Sequence, residues 1–220
     1  MDKELIFNVI KKASKAEKTS RICELCSGKI VLDVGCAGQD FSYNNPGWLH
    51  NRIKKVACDL DGVDIEPEAI RALKEKGYSI FNADELKQSE KKYQIVVMSD
   101  VIEHVNDPVG FLRFYSSFLG PDGKIIITTP NAHAIRNFTS ILTRNNYSLN
   151  PQHTFWLCPK TMMEITERAG LSFTDFFWLE EYFTLRDVSG LKYKIIFFIN
   201  KIFQKMRSNF YPNFMFIVSR

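Results

Sequence analysis

Short apolar runs alternate with amphipathic helical windows along most of this chain, and that alternation is the strongest constraint on its fold. Ile30 to Val34, Gly62 to Ile65, Tyr78 to Phe81, Gln94 to Met98 and Lys124 to Thr129 read as five strands. Near-continuous apolar strands of this kind belong to a parallel sheet covered by helices on both faces. Leu5, Ile6, Val9, Ile10 and Ala13 share one helical face, so a helix opens the chain. Pro67 begins a second helix, running to about Lys76. Asp107 caps a third, Pro108 takes its first turn, and Gly120-Pro121 stops it before an Asp122-Gly123 turn. Pro159 opens another helix that ends at Gly170, and Leu171 to Trp178 and Phe214 to Val218 supply a sixth and a seventh strand. The expected architecture is one doubly wound α/β domain over residues 1–220, three-layered, with its ligand above the strands' carboxyl ends.

Composition excludes several classes. Of the 220 residues, 45% are apolar and 25% charged, which is neither disordered nor collagen-like. The longest aliphatic-aromatic runs, such as Ile195 to Ile199, fall far short of the roughly 20 residues of a membrane span. Leu5-Ile6-Phe7 is too short for a signal core, so a cytoplasmic location is expected. Five scattered cysteines argue against a disulfide framework. Cys23 and Cys26 have metal-pair spacing, but the other three do not supply a second pair, and a packed helix end is the plainer reading.

The formal charge of +4 is unevenly placed. Val188 to Arg220 carries six basic residues and no acidic one, which leaves residues 1–187 at −2. A surface for nucleic acid is therefore not expected outside the tail.

The sharpest local signal is VLDVGCAGQDF, Val31 to Phe41. A strand emptying into small residues lets the backbone approach a ligand, with amides of the next helix turned toward it. Asp33 interrupts the apolar strand, and a buried carboxylate there needs a partner or a purpose. No G-x-G-x-x-G spacing can be read, which counts against a pyrophosphate loop. Asp64 follows the second strand, where a carboxylate can meet ribose hydroxyls. Asp84 follows the third, within reach of an adenine amino group.

Five ordered stretches then carry a resemblance: VLDVGCAG, GVDIEPEAI, NADEL, VVMSDVIEHVNDP and PDGKIIITTPN. Together they resemble the class I S-adenosylmethionine-dependent methyltransferases. That resemblance implies a Rossmann-like seven-stranded sheet with an antiparallel last strand. It implies that Asp33, Gly35, Cys36 and Ala37 cradle the methionine part of the cofactor, and that Asp64 and Ile65 hold ribose and adenine. Asp84 with Glu85 would reach the adenine nitrogen, and Ser99 would line the loop after the fourth strand. Ala37 and Gln39 stand where the family usually has glycine.

Asp100, Glu103 and His104 stand at i, i+3 and i+4, and would share a face if the chain turns helically there. His153 follows the fifth strand and could fold over the same pocket. The arrangement resembles that of ubiquinone-pathway O-methyltransferases and small-RNA 3′-end methyltransferases. Glu103, His104 and His153 are the expected catalytic groups. No metal is expected, though the resemblance makes Asp100, Glu103, His104 and His153 the ligands if a divalent ion binds. Trp48-Leu49-His50 is read either as a lid over the pocket or as core, and His133 as a solvated loop residue.

The tail is a separate matter. Ile195, Ile196, Ile199, Ile202, Phe203 and Met206 recur at helical spacing among lysines, inside a basic insertion spanning residues 188–212 between the last two strands. Two placements stay open: a helix packed on the body with its lysines solvated, or peripheral contact with an anionic membrane face. The function expected is methylation of an oxygen on a small molecule, sugar or glycolipid. The alternatives are a cofactor-binding sensor or scaffold without turnover, and a nicotinamide-dependent oxidoreductase. Oligomeric state is not legible.

Overall fold

The computed structural model describes residues 3–38, 43–145, 150–180 and 190–220. Eight strands form one mixed sheet: β1 (Lys15–Ala16), β2 (Ile30–Val34), β3 (Asp59–Val63), β4 (Ile80–Phe81), β5 (Tyr93–Ser99), β6 (Leu119–Pro130), β7 (Ser172–Leu179) and β8 (Asn213–Ser219). Their spatial order is β1-β7-β8-β6-β5-β2-β3-β4. β8 runs antiparallel to both β6 and β7, while the remaining pairs are parallel.

Nine helices accompany the sheet among the described residues: α1 (Lys3–Lys12), α2 (Lys18–Cys26), α3 (Leu49–Lys54), α4 (Pro67–Glu75), α5 (Ala83–Lys87), α6 (Pro108–Ser116), α7 (Ile135–Arg144), α8 (Pro159–Arg168) and α9 (Leu191–Met206). The period of two in β5 divides the core. Val96 and Met98 join Ile6, Leu112, Met162 and Trp178 on one face, whereas Ile95 and Val97 join Ile22, Ile53 and Ile217 on the other. The result is a three-layer αβα sandwich, as the apolar periodicity predicts.

Helix starts follow local chemistry. The Asp107 carboxylate accepts from Gly110 N at the head of α6, and Pro108 needs no partner there. Asn82 and Glu85 close a reciprocal capping box on α5. Gly77 and Gly170 leave α4 and α8 at φ of +81° and +80°, a conformation that favours glycine.

Three expectations need correction. The sheet has eight strands rather than seven, because Lys15–Ala16 adds a two-residue parallel strand beyond β7. The turn expected at Asp122-Gly123 lies within β6: Asp122 takes φ +56°, and the register against β5 shifts there. The segment after β5 makes a single 3-10 turn, Ile102–His104, not a helical face reaching back to Asp100.

Candidate active site

The chain leaves β2 for β3 and β4 in one direction and leaves β5 for β6 in the other, so a crevice opens between the carboxyl ends of β2 and β5. A cleft of about 1810 Å³ occupies that switch point. It exceeds the roughly 300–1,000 Å³ of a pocket for one drug-sized ligand, leaving room for a cofactor and an acceptor together. Its walls include Val34, Val63, Ser99 and Pro130, the last or near-last residues of β2, β3, β5 and β6.

The β2 turn forms one half. Gly35 sits at φ +71°, and a Cβ there would come within 2.7 Å of Val101 Cγ2. Both the dihedral and the neighbour therefore require glycine. Gly35 N donates to Val63 O at 2.8 Å, and Ala37 N donates to Asp64 Oδ2 at 2.9 Å, so the turn is strapped to the end of β3. Asp64 Oδ1 accepts from Ile65 N and Glu66 N at 2.8 and 3.1 Å. Three amides thus occupy most of the roughly four lone-pair sites of this carboxylate, and gripping two ribose hydroxyls requires it to release an amide. Ile65 is 92% exposed beside it on the cleft wall. An aliphatic side chain held out in a crevice offers a flat apolar surface to a ring.

Asp33 does have a partner. Its Oδ2 lies 2.9 Å from His50 Nδ1, with both residues buried. His50 stacks on Trp48, and Trp48 Nε1 donates to Cys36 O at 2.6 Å. Trp48 and His50 therefore brace the turn after β2, and Trp48 and Leu49 also line the cleft. Of the two readings of Trp48-Leu49-His50, buried core is the one that fits Trp48 and His50.

The predicted cofactor residues divide accordingly. Asp33, Gly35, Cys36, Asp64, Ile65 and Ser99 line the cleft. Ala37 is buried and contributes its amide to Asp64 rather than a wall. Asp84 and Glu85 are not among the lining residues. Asp84 is exposed and pairs with Lys87, and Glu85 pairs with Lys74. The residue that follows β4 directly is Asn82, spent on capping α5.

The other half of the cleft gathers Glu103, His104 and His153. One ligand atom from each lies within 4.8 Å of the others. Thr154 N and Thr154 Oγ1 both donate to Glu103 O, at 2.8 and 2.9 Å, which ties the loop bearing His153 to the 3-10 turn bearing Glu103 and His104. The imidazoles meet edge to face with centroids 4.7 Å apart. His104 Nδ1 lies 3.2 Å from the Gln152 carbonyl, which can only accept, so Nδ1 is the donor of that bond. Glu103 Oε2 accepts from Thr129 Oγ1, while Oε1, buried and without a hydrogen-bond partner, stands 4.0 Å from His153 Nε2. Burial, and then the charge of Asp100, push the Glu103 carboxyl up to about 8. Burial, then His104, hold His153 below the usual imidazole value.

Asp100 stays outside this cluster. It takes φ +56° and is held by Lys18 Nζ and Thr128 Oγ1. Lys18 stands on the cleft wall at the head of α2, and no sequence signal marked it. His133 is exposed and does not line the cleft.

Comparison with known proteins agrees with this geometry. A family model described as a methyltransferase domain matches residues 5–175. Ubiquinone biosynthesis O-methyltransferase from Aeromonas salmonicida is 25% identical over 181 residues, covering 76% of this chain and 67% of that protein. The protein of that name from Haemophilus ducreyi is 24% identical over 197 residues, covering 76% and 80%. Among solved structures, an S-adenosylmethionine-dependent methyltransferase from Archaeoglobus fulgidus covers both chains fully, with TM-score 0.61 and 20% identity. Magnesium protoporphyrin IX methyltransferase from Synechocystis, with bound S-adenosylhomocysteine, covers 92% of this chain and 81% of its own, with TM-score 0.53 and 14% identity. A strapped glycine turn at the switch point, an aliphatic shelf beside Asp64 and a family match over residues 5–175 converge: this chain belongs to the class I S-adenosylmethionine-dependent methyltransferases.

Proposed function

We propose that the protein methylates an oxygen atom of a hydroxylated small molecule, sugar or glycolipid, with Glu103, His104 and His153 handling the acceptor. The observation that carries this reading is Glu103 Oε1, a buried carboxyl oxygen without a hydrogen-bond partner, close to two imidazoles on the wall of the cleft. Leaving such an atom unsatisfied is costly in a core and is typical of groups kept for a ligand. The shared O-methyltransferase name of the two bacterial relatives supports oxygen as the acceptor atom.

S-adenosylmethionine supplies a methyl group already activated on a sulfonium, so the chain's own work is alignment and proton management. Asp64, the Gly35 turn and Ile65 hold the cofactor end of the cleft. At the other end, with Nδ1 given to the Gln152 carbonyl, His104 Nε2 is the ring nitrogen left to accept the hydrogen of an acceptor hydroxyl. His153, whose imidazole burial holds toward its neutral form, can do the same. A proton taken by either imidazole creates a cation beside Glu103, which draws the carboxyl toward its charged form. Lys18 and Thr128 hold Asp100 two residues before the turn that presents Glu103 and His104.

Turnover is tested by incubating the protein with S-adenosylmethionine carrying a labelled methyl group and a panel of phenols, sugars and hydroxylated lipids. Glu103→Gln and the double variant H104A/H153A should bind S-adenosylhomocysteine as the parent does and lose about 100-fold or more in turnover. Parent-like turnover in both variants removes the cluster from the reaction. Cofactor binding with no labelled product from any acceptor favours the sensor reading.

One observation favours a second reading of the same cluster. A carboxylate oxygen and two imidazole nitrogens within 4.8 Å form a donor set that suits a divalent cation, and the orphaned Glu103 Oε1 fits that use. Glu103, His104 and His153 would hold the ion, whose chemistry there would be to polarise an acceptor hydroxyl. Calorimetry with Mg²⁺, Mn²⁺ and Zn²⁺ on the parent and on H104A/H153A separates the readings. Heat in the parent that the variant loses supports a metal, and no heat in either excludes it.

A further inference from the structure

Helix α9 leaves most of its large apolar side chains in solvent. Its only buried side chain is Gln204, and Asn200, Ile196 and Phe197 on the same side are half-buried, so the side turned to the body mixes amides with two apolar residues. Leu191, Ile195, Phe198, Ile202 and Met206 follow one another at spacings of four, three, four and four, which is a single face, and all are exposed. Phe198 is 64% exposed. Lys194 and Lys205 flank this face on one side and Lys192 on the other. Helix α7, which packs beside α9 and buries Ile135, also exposes large apolar side chains. Its Asn137 is buried and donates to Asn131 O and Ala132 O, whereas Phe138, Ile141 and Leu142 point outward, Leu142 at 83% exposure.

We propose that α7 and α9 form a docking platform for an anionic lipid bilayer. Two neighbouring helices each carry several exposed large apolar side chains, and a contiguous exposed apolar face of this kind marks an interaction site. Charge selects the occupant. Val188 to Arg220 has six cations and no anion, which complements lipid phosphates. Neither helix is long and apolar enough to cross a membrane, so the platform lies in the interface plane. Asn131, Ala132, Arg136 and Asn137, at the start of α7, line the cleft. Docking therefore brings the acceptor end of the cleft down beside the lipid, where an amphiphilic acceptor can enter without crossing water. The inference stands on this surface and not on the identity of the methylated atom.

Co-sedimentation of the full chain with vesicles of phosphatidylcholine containing 30% phosphatidylglycerol, on the order of cellular anionic content, tests the platform. The parent should bind these vesicles and not pure phosphatidylcholine, and 0.5 M salt should weaken binding about tenfold or more. Charge reversal at Lys192, Lys194 and Lys205 together should abolish binding, and F198S/I202S should lower it about tenfold or more even at low salt. S-adenosylhomocysteine affinity should be unchanged in both. A conservative probe covers the case in which either variant misfolds: Phe198→Trp and Leu142→Trp should each gain fluorescence that brominated lipid quenches. Failure of the parent to bind anionic vesicles at low salt overturns the proposal. So does a parent dimer in sedimentation velocity without lipid that F198S/I202S dissociates, because the face is then an interface between copies of this chain.

Discussion

At the scale of single residues, Asp33 and Asp64 show what a carboxylate needs in order to be buried or half-buried near a ligand. Asp33 was legible as a residue that must have a partner, because it breaks an apolar strand. The partner, His50, is 17 residues away on α3, and nothing in spacing alone brings them together. Asp64 is the more informative of the two. Its oxygens bind the amides of Ala37, Ile65 and Glu66, so it organises the turn before it meets any ligand. Asp64→Ala should therefore weaken S-adenosylhomocysteine binding about 10- to 100-fold by calorimetry, through lost hydrogen bonds and a loosened turn. Asp64→Asn keeps one acceptor oxygen and should lose less. An unchanged affinity in Asp64→Ala would place the nucleoside elsewhere. Cysteine chemistry makes an independent check on the same turn. Burial and the charge of Asp33 push the thiols of Cys26 and Cys36 well above their ordinary value, whereas Cys58 is exposed. Iodoacetamide at pH 8 should modify Cys58 in the native protein and leave Cys26 and Cys36 intact until denaturant is added, as read by peptide mass spectrometry.

At the scale of elements, what was legible followed from burial. β2, β5, β6 and β8 announce themselves because strands covered on both faces must be apolar throughout. β1 has two residues and α3 and α5 have six and five, too short for any period to emerge, so only their tertiary contacts make them elements. The turn after β5 misled for another reason. The spacing i, i+3 and i+4 gives one face only if the chain turns helically, but Asp100 adopts φ +56° and accepts from the Lys18 ammonium, so only Glu103 and His104 remain on the turn. The entry to β3 was equally hidden. Asp61 is buried, accepting from Ser79 Oγ at 2.6 Å and Tyr93 Oη at 2.8 Å, and Lys91 Nζ pairs with both Asp59 and Asp61, at 2.7 and 2.6 Å. Lys91→Met removes the cation and leaves a buried carboxylate uncompensated, so it should lower stability by about 2 kcal/mol in urea titrations near pH 7. The Lys91 ammonium, bonded to its carboxylate, holds Asp59 below its ordinary value. A depressed carboxylate stabilises the fold above its unfolded value and loses that contribution as pH falls through the folded one. The gap between parent and variant should accordingly narrow below about pH 4. A gap that stays constant down to pH 3 would show that Lys91 acts by packing alone.

For the whole molecule, the distribution of apolar surface separates what holds the fold from what the fold presents. Phe176, Trp178, Phe214 and Phe216 are buried across β7 and β8, and Trp178 Nε1 donates to Ile10 O at 3.0 Å, tying the opening helix to the sheet. Phe198, Ile202 and Leu142 are chemically similar but contribute little to folding, since water reaches them in the folded state as it does in the unfolded chain. Hydrophobicity alone could not tell these two groups apart in the sequence. The spacing of the α9 residues shows an amphipathic helix, but only the burial of Gln204, with Ile196, Phe197 and Asn200 half-buried beside it, shows which side is out. The distinction is measurable without any lipid. The triple substitution L142S/F198S/I202S should shift the melting temperature by no more than about 2 °C, the scale expected of surface changes in a chain of this length. It should also raise solubility in low-salt buffer, because a contiguous apolar face has been broken. Phe214→Ala removes a ring of the same kind from a fully buried site, and should lower the melting temperature by about 10 °C through lost transfer energy and a cavity. If the triple variant melts as early as Phe214→Ala, then α7 and α9 belong to the structural core and their outward side chains are covered in solution.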